Sequence, residues 1–177
     1  MNEIDVAIAI VSYRSAALTI DCLRSIDVER SMPGVSIRVI VVDNASGDAP
    51  AIAEAIEANC WSSWVILVTA PRNGGFAYGN NLAFRHACHD RPPDYFHLLN
   101  PDTPVRKGAI GALARFRDTH PDVGIAGSSF ENLDGSDWPI AFRFPSILSE
   151  LESGLQLRFA SRVLQRWVVA VKNGTKA

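Results

Sequence analysis

Ile37-Arg38-Val39-Ile40-Val41-Val42-Asp43-Asn44 decides the fold. The run is almost wholly β-branched, has little polar alternation, and breaks on a carboxylate followed by an amide. Such a run predicts a strand buried on both faces, the signature of a parallel sheet. A second run, Tyr95-Phe96-His97-Leu98-Leu99, stops on Asn100-Pro101-Asp102 and reads the same way. In open α/β sheets, ligands bind beyond the carboxyl ends of the strands, where strand order reverses. Two strand ends tipped with Asp and Asn therefore form a ledge suited to a nucleotide and a hard cation.

Working outward, Val6–Val11 predicts a first strand that ends at Ser12-Tyr13-Arg14. Leu18, Cys22, Leu23 and Ile26 recur at helical spacing over Ala16–Ile26. Asp48 is an expected N-cap, with Pro50 in the first turn of a helix over Ala51–Asn59. Val65–Thr69 reads as a third strand, followed by the loop Pro71-Arg72-Asn73-Gly74-Gly75 and a helix over roughly Ala77–His89. Arg91-Pro92-Pro93 stops that helix before the fourth strand. Gly108–Thr119 is an amphipathic helix, and Val123–Ala126 is expected to be a fifth short strand. Strand and helix alternate with short loops, so the elements compose βαβ units in a doubly wound layered sheet. Beyond Ser128 the pattern weakens: Glu131–Asp137 reads as loop, Phe142–Ser146 as an extended segment and Ile147–Val171 as one or two helices. The expected organisation is a nucleotide-binding domain over 1–130 and a partial acceptor-side or helical segment over 131–177.

A chain of 177 residues, 47% hydrophobic and 20% charged, is ordinary globular composition and long enough for a real core. The formal net charge of −2 offers no case for nucleic acid, which asks for clustered Lys and Arg. Cys22, Cys60 and Cys88 lack metal-type spacing, and their odd number fits a reducing cytosol. The first residues carry no basic, apolar leader pattern, and no run approaches the ~20 apolar residues of a bilayer span. A cytoplasmic protein is expected. Arg158, Arg162 and Arg166 share one helix face, either a solvated stripe or a contact with an anionic membrane surface or a partner.

The chemistry concentrates at the strand ends. Asp43 could accept a base N3–H or a ribose hydroxyl, or could simply cap its own turn. Tyr13, on the neighbouring strand end, could offer its ring to the same base. Asn100 and Asp102, two positions apart, could share a ribose and a divalent cation, or initiate the next helix. Mg²⁺ or Mn²⁺ takes oxygen ligands and is often completed by substrate phosphates. Asn73-Gly74-Gly75 and Gly79-Asn80-Asn81 frame the third crossover, where glycines let a phosphate approach a helix N-terminus. Neither G-x-G-x-x-G nor a P-loop occurs, which disfavours hydride and P-loop chemistry. His86, His89, His97 and His120 form no zinc spacing, and His97 is expected in the core. Ser12, Ser46 and Ser128 lack a nucleophile-elbow context.

Val-Ser-Tyr-Arg (11–14), Val-Val-Asp-Asn-Ala-Ser (41–46), Asn-Gly-Gly-Phe-Ala-Tyr-Gly-Asn-Asn (73–81) and Leu-Leu-Asn-Pro-Asp-Thr (98–103) together resemble the family-2 inverting glycosyltransferases. The rhamnosyltransferase-like branch is the most similar, and the resemblance covers about residues 5–130. It implies the GT-A nucleotide-diphospho-sugar transferase fold, a Rossmann-like, mostly parallel sheet with helices on both faces. It further implies a nucleotide-sugar site drawn from Ser12, Tyr13, Asp43, Asn44, Asn73, Gly75, Asn81, Asn100 and Asp102. Asp102 would be the metal ligand, as the last acid of a DxD-type motif whose first acid is here Asn100. The implied donor is dTDP-rhamnose or a UDP-sugar and the implied acceptor a saccharide or lipid-linked saccharide, in polysaccharide or glycolipid assembly. Peripheral membrane attachment and a homo-oligomer both remain open. Relatives carry a Glu-Asp pair whose Asp is the general base, since an inverting transfer must take the acceptor's proton. No such pair follows Asp102, and Glu131, Asp134, Asp137, Glu150 and Glu152 are later acids without that context. The chain therefore reads as truncated relative to the family. The alternative is a non-catalytic nucleotide-sugar-binding module or a subunit completed by a partner. A nucleotidylyltransferase is disfavoured because the first loop lacks G-x-G-T-R.

Overall fold

A computed structural model of the chain describes residues 3–138 apart from 32, 90 and 133. Four parallel strands form one sheet: β1 (Ile4–Ser12), β2 (Val35–Asp43), β3 (Val65–Thr69) and β4 (Tyr95–Leu99), in the order β3-β2-β1-β4. The connecting helices are α1 (Ala16–Glu29), α2 (Ala49–Ala58) and α3 (Gly75–Ala87), with α4 (Ala109–Thr119) following β4. The chain divides into two compact units, Met1–Ala126 and Gly127–Ala177.

The period of two in each central strand sorts the core into two layers. Val6, Ile8 and Ile10 of β1 with Val39 and Val41 of β2 pack against Cys22, Leu23 and Ile26 of α1, Ile52 and Ile56 of α2, and Ile110 and Ala114 of α4. The alternate residues Ala7, Ala9, Ile40 and Val42 face Ala83 and Ala87 of α3. Helices thus cover both faces, as a doubly wound sheet requires. The α3 face is built from small side chains because helix and strand approach closely. A Cβ on Gly79 would lie 2.6 Å from Cγ1 of Val11.

Strand order runs 1, 2, 3 outward and then returns to the other side of β1 for β4, so the topological switch point lies between β1 and β4. Because all four strands are parallel, Ser12, Asp43, Thr69 and Leu99 end on one edge of the sheet. At the opposite edge, Asp5 accepts from Arg38 Nη2 at 3.2 Å and Arg91 Nη2 at 2.9 Å, and Asp94 Oδ2 takes its backbone N–H at 2.8 Å. A cavity of about 480 Å³ lined by Glu3, Asp5, Ser36, Arg91, Pro92 and Asp94 lies there, away from the strand tips.

Several expectations are corrected. Tyr95–Leu99 is not buried on both faces: it pairs only with β1 among the described residues, and Leu98 is 58% exposed. His97 is accordingly half-buried rather than core, and its partial burial lowers its pKa. Val123–Ala126 forms no strand. Val123 N–H turns back to the His120 carbonyl at 3.1 Å, glycines flank Ile125 at 124 and 127, and Ile125 is 94% exposed. The stretch read as loop over Glu131–Asp137 is the turn of a hairpin, with Phe130–Glu131 (β5) antiparallel to Asp137–Trp138 (β6). Asp48 holds the N-cap position of α2 but makes no side-chain bond to that helix. The expected extended segment and helices after 138, with Glu150, Glu152, Arg158, Arg162 and Arg166, lie outside the described residues.

Candidate functional site

The site is built from four strand-to-helix loops on the carboxyl edge. Asp43 ends β2 at 1% exposure. Its Oδ1 accepts the N–H of Ser46 at 3.0 Å and the hydroxyl of Ser46 at 2.6 Å, and its Oδ2 accepts the N–H of Ala49 at 3.3 Å. Burial pushes this carboxyl up, but the bonds from Ser46, Ala49 and Gly47 outweigh it and hold the group below the usual carboxylate range. The carboxylate that caps α2 is therefore Asp43 itself, which frees Asp48. Asp48 Oδ2 takes the N–H of Ser15 at 2.7 Å and the Ser12 hydroxyl at 3.4 Å, tying the β2 loop to the start of α1. Ser12 is fully buried and also accepts from Thr19 Oγ1 at 3.1 Å, so its hydroxyl belongs to this internal network.

Asn44, 2% exposed, pins the next loop. Its Nδ2 donates to Asn73 Oδ1 at 2.9 Å and to the Gly75 carbonyl at 3.3 Å, and its Oδ1 accepts the Gly74 N–H at 3.2 Å. Asn73 Oδ1 also takes the N–H of Gly75 at 3.0 Å, and Gly75 has φ +81°, a region that favours glycine. The first turn of α3 is thereby presented beside the β2 tip. Arg72 stands 4.9 Å over the Tyr78 ring, and Asn81 lies exposed in the second turn of α3.

At the switch point, Tyr13 is 44% exposed with the Arg14 guanidinium 5.4 Å from its ring centroid. Arg14 has φ 54°, a left-handed conformation uncommon outside glycine. Across from it, Asn100 and Asp102 project exposed from the end of β4. Their turn is closed by Thr103 N–H to the Asn100 carbonyl at 3.2 Å, and Thr103 Oγ1 donates to Asp102 Oδ1 at 3.3 Å.

Beneath that turn runs a set of contacts that sequence reading missed. The Cys22 thiol is shared between the carbonyls of Thr103 at 3.5 Å and Asn100 at 3.9 Å. Burial, and secondarily the charge of Asp102, push this thiol up to about 12, so it stays a donor. Ser25 Oγ accepts the Val105 N–H at 2.9 Å. Glu29, 1% exposed, accepts the N–H groups of Gly108 and of Ile110, the latter at 3.2 Å, and so caps α4. One signal was available: an acid in the last turn of a helix opposes the macrodipole and needs donors from elsewhere.

Seven sequence-chosen residues are thus brought to one edge: Ser12, Tyr13, Asp43, Asn44, Asn73, Asn100 and Asp102, with Gly75 at the start of α3. Exposure divides them. Ser12, Asp43 and Asn44 are buried and hold loops, whereas Tyr13, Asn73, Asn100 and Asp102 face solvent. Among the described residues no group of three or more His, Cys, Asp or Glu could cage a metal. An exposed carboxylate two positions from an exposed amide fits a hard cation shared with a diphosphate.

The sequence profile described as Glycosyl transferase family 2 matches residues 7–161. No curated protein sequence matches the chain. Among solved structures, residues 1–349 of TarS from S. aureus match with a TM-score of 0.53 and 18% identity, over 73% of this chain and 40% of that one. The same TarS piece in complex with UDP gives a TM-score of 0.54 at 18% identity, with the same coverage. A mannosyltransferase from Pyrobaculum calidifontis, in complex with GDP-Man and Mn²⁺, matches with a TM-score of 0.52 and 21% identity, over 63% of this chain and 32% of that one. The chain therefore spans two fifths or less of each of these three structures. At these identities the likeness establishes the Rossmann-like GT-A fold. With the family profile matching most of its length, the chain belongs to glycosyl transferase family 2.

Proposed function

We propose that the carboxyl edge of the sheet binds a nucleotide-diphosphate sugar, and that the protein transfers that sugar to a saccharide or lipid-linked acceptor with inversion. The observation that carries this is the exposed Asn100–Asp102 turn at the switch point, where β4 ends beside β1 and its exposed Tyr13. The donor we favour is dTDP-rhamnose or a UDP-sugar, as in the rhamnosyltransferase-like branch. In support, structures of the same fold hold UDP in one case and GDP-Man with Mn²⁺ in another.

The roles follow from exposure. The Tyr13 ring stacks on the base once Arg14 swings from its face. Asp43 keeps the β2 turn and the start of α2 in place and meets the base through lone pairs left on its carboxylate, whose Oδ2 holds Ala49 by a long 3.3 Å contact. Asn44 holds the Asn73–Gly75 loop so that the α3 N-terminus favours the diphosphate. Asn100 orients the ribose, and Asp102 with Asn100 would hold Mg²⁺ or Mn²⁺. Bound there, such a cation supplies Lewis-acid neutralisation of the leaving diphosphate. Among the described residues no helix is long and apolar enough to cross a membrane. We place the reaction on the cytoplasmic side, at the inner face of the membrane.

A second reading is a nucleotide-sugar-binding module or a subunit completed by a partner. It draws support from Asp134, a candidate acid whose Oδ1 accepts both the N–H and the hydroxyl of Ser136 in the hairpin turn. Calorimetry with UDP and dTDP, with and without Mn²⁺, tests the shared premise. Metal-enhanced binding that Asp102→Asn abolishes is expected, and an absence of nucleotide binding under either condition sinks both readings. Donor hydrolysis and transfer assays then separate enzyme from module.

A further inference from the structure

We propose that α1 acts as a splint for the donor edge, and that Glu29 and Ser25 are positioning residues which set the Asn100–Asp102 turn in place. This rests on the donor-site reading above and names residues outside its contact set. Cys22, Ser25 and Glu29 are spaced by three and four, so they share one face of α1. Their partners climb the chain in the same order: Asn100 and Thr103 at Cys22, Val105 at Ser25, Gly108 and Ile110 at Glu29. The whole connection from the β4 tip to the first turn of α4 is thus fastened to about 10 Å of a single helix. Ser25 is itself held, donating to the Cys22 carbonyl at 2.6 Å.

The connection also has fixings of its own, Val105 packing against the core among them. Thr103 N–H to Asn100 and Ala109 N–H to Arg106 are its local backbone bonds, and Gly108 enters α4 at φ +88°. A carboxylate that takes two N–H groups at a helix start both satisfies orphan donors and complements the dipole. Glu29 is 1% exposed, so these bonds are not shared with water. Freed from Glu29, α4 would slide relative to α1, and the turn carrying Asp102 would lose its fixed height above β1.

The test uses the full chain with Glu29→Gln and Ser25→Ala. Asp21→Ala, which breaks an exposed pair with Arg24 on another part of α1, is the control. Backbone hydrogen exchange and UDP titrations in Mn²⁺ and in EDTA are the two readouts. Glu29→Gln should deprotect Gly108, Ile110 and also Thr103, and reduce the Mn²⁺-dependent gain in UDP affinity roughly tenfold. UDP binding in EDTA should stay as in the wild type, a split that general destabilisation does not produce. Ser25→Ala removes only a hydroxyl and should show the same pattern more weakly; Asp21→Ala should show none of it. If Thr103 keeps wild-type protection while Gly108 and Ile110 lose theirs, or UDP affinity falls equally with and without metal, the splint is overturned. A wild-type chain that binds no UDP overturns the donor reading alone, and exchange at Thr103 then decides the splint.

Discussion

At Asp43, burial and hydrogen bonding act on one carboxyl group in opposite directions, and hydrogen bonding wins. Its folded pKa lies below the unfolded value of roughly 3.9. The stabilisation is therefore present above that value and is lost as pH falls through the folded pKa. Asp43→Asn keeps the shape but turns an amide N–H₂ toward a backbone N–H. We expect urea denaturation at pH 7 to show a loss of about 1–3 kcal/mol, shrinking as the pH approaches 3. The same variant should weaken nucleotide binding without removing it, since Tyr13 and the 100–102 turn are untouched. Asp43 also marks how far residue types can be read from sequence. Its position at a strand end followed from the apolar run before it. That its oxygens are held by Ser46 and Ala49 is the turn cap its sequence also allowed, whereas the reach of Asp48 across to Ser15 depends on how two loops meet in space.

Between elements, the approach of α3 to β1 is set by missing side chains. Gly79 lies in the helix interior, where alanine is ordinarily better by up to about 1 kcal/mol. Here the added Cβ would meet Val11, a β-branched residue with little rotamer freedom, and overpacking costs about 1–3 kcal/mol. Gly79→Ala should accordingly lower the melting temperature, and the loss should disappear in a Val11→Ala background, as a double-mutant cycle by calorimetry would show. The elements themselves were largely readable, because apolar runs of five or more with helical spacing between them leave few alternatives. The misreadings share a cause. Val123–Ala126 has strand-like residues, yet a strand exists only where a neighbour pairs with it, and Val123 turns back to His120 instead. Tyr95–Leu99 is a strand, but its burial depended on its place at one side of the sheet, which no local pattern encodes.

Across the whole molecule, the two ends of the parallel sheet do different work. The carboxyl end carries the solvent-facing Tyr13, Asn100 and Asp102, while the amino end is fastened by Asp5 to Arg38, Arg91 and Asp94. Asp5 is 8% exposed at its side chain, but Arg91 is 75% exposed, so solvent takes much of that pair's energy. We expect Asp5→Ala to reduce unfolding free energy by about 1–3 kcal/mol in a urea titration, more than a surface pair would. UDP binding should be unchanged, because the substitution lies at the opposite edge. The order β3-β2-β1-β4 also bears on assembly during synthesis. β1 leaves the ribosome before the other three strands, yet it is an inner strand, and Val6 must find Tyr95 on one side and Ile37 on the other. One edge of the most buried strand thus waits for a partner nearly ninety residues away, on the order of ten seconds at ordinary rates of translation. Until then, a row of unpaired amides on an isoleucine- and valine-rich ribbon is what the nascent chain offers to chaperones and to its own copies.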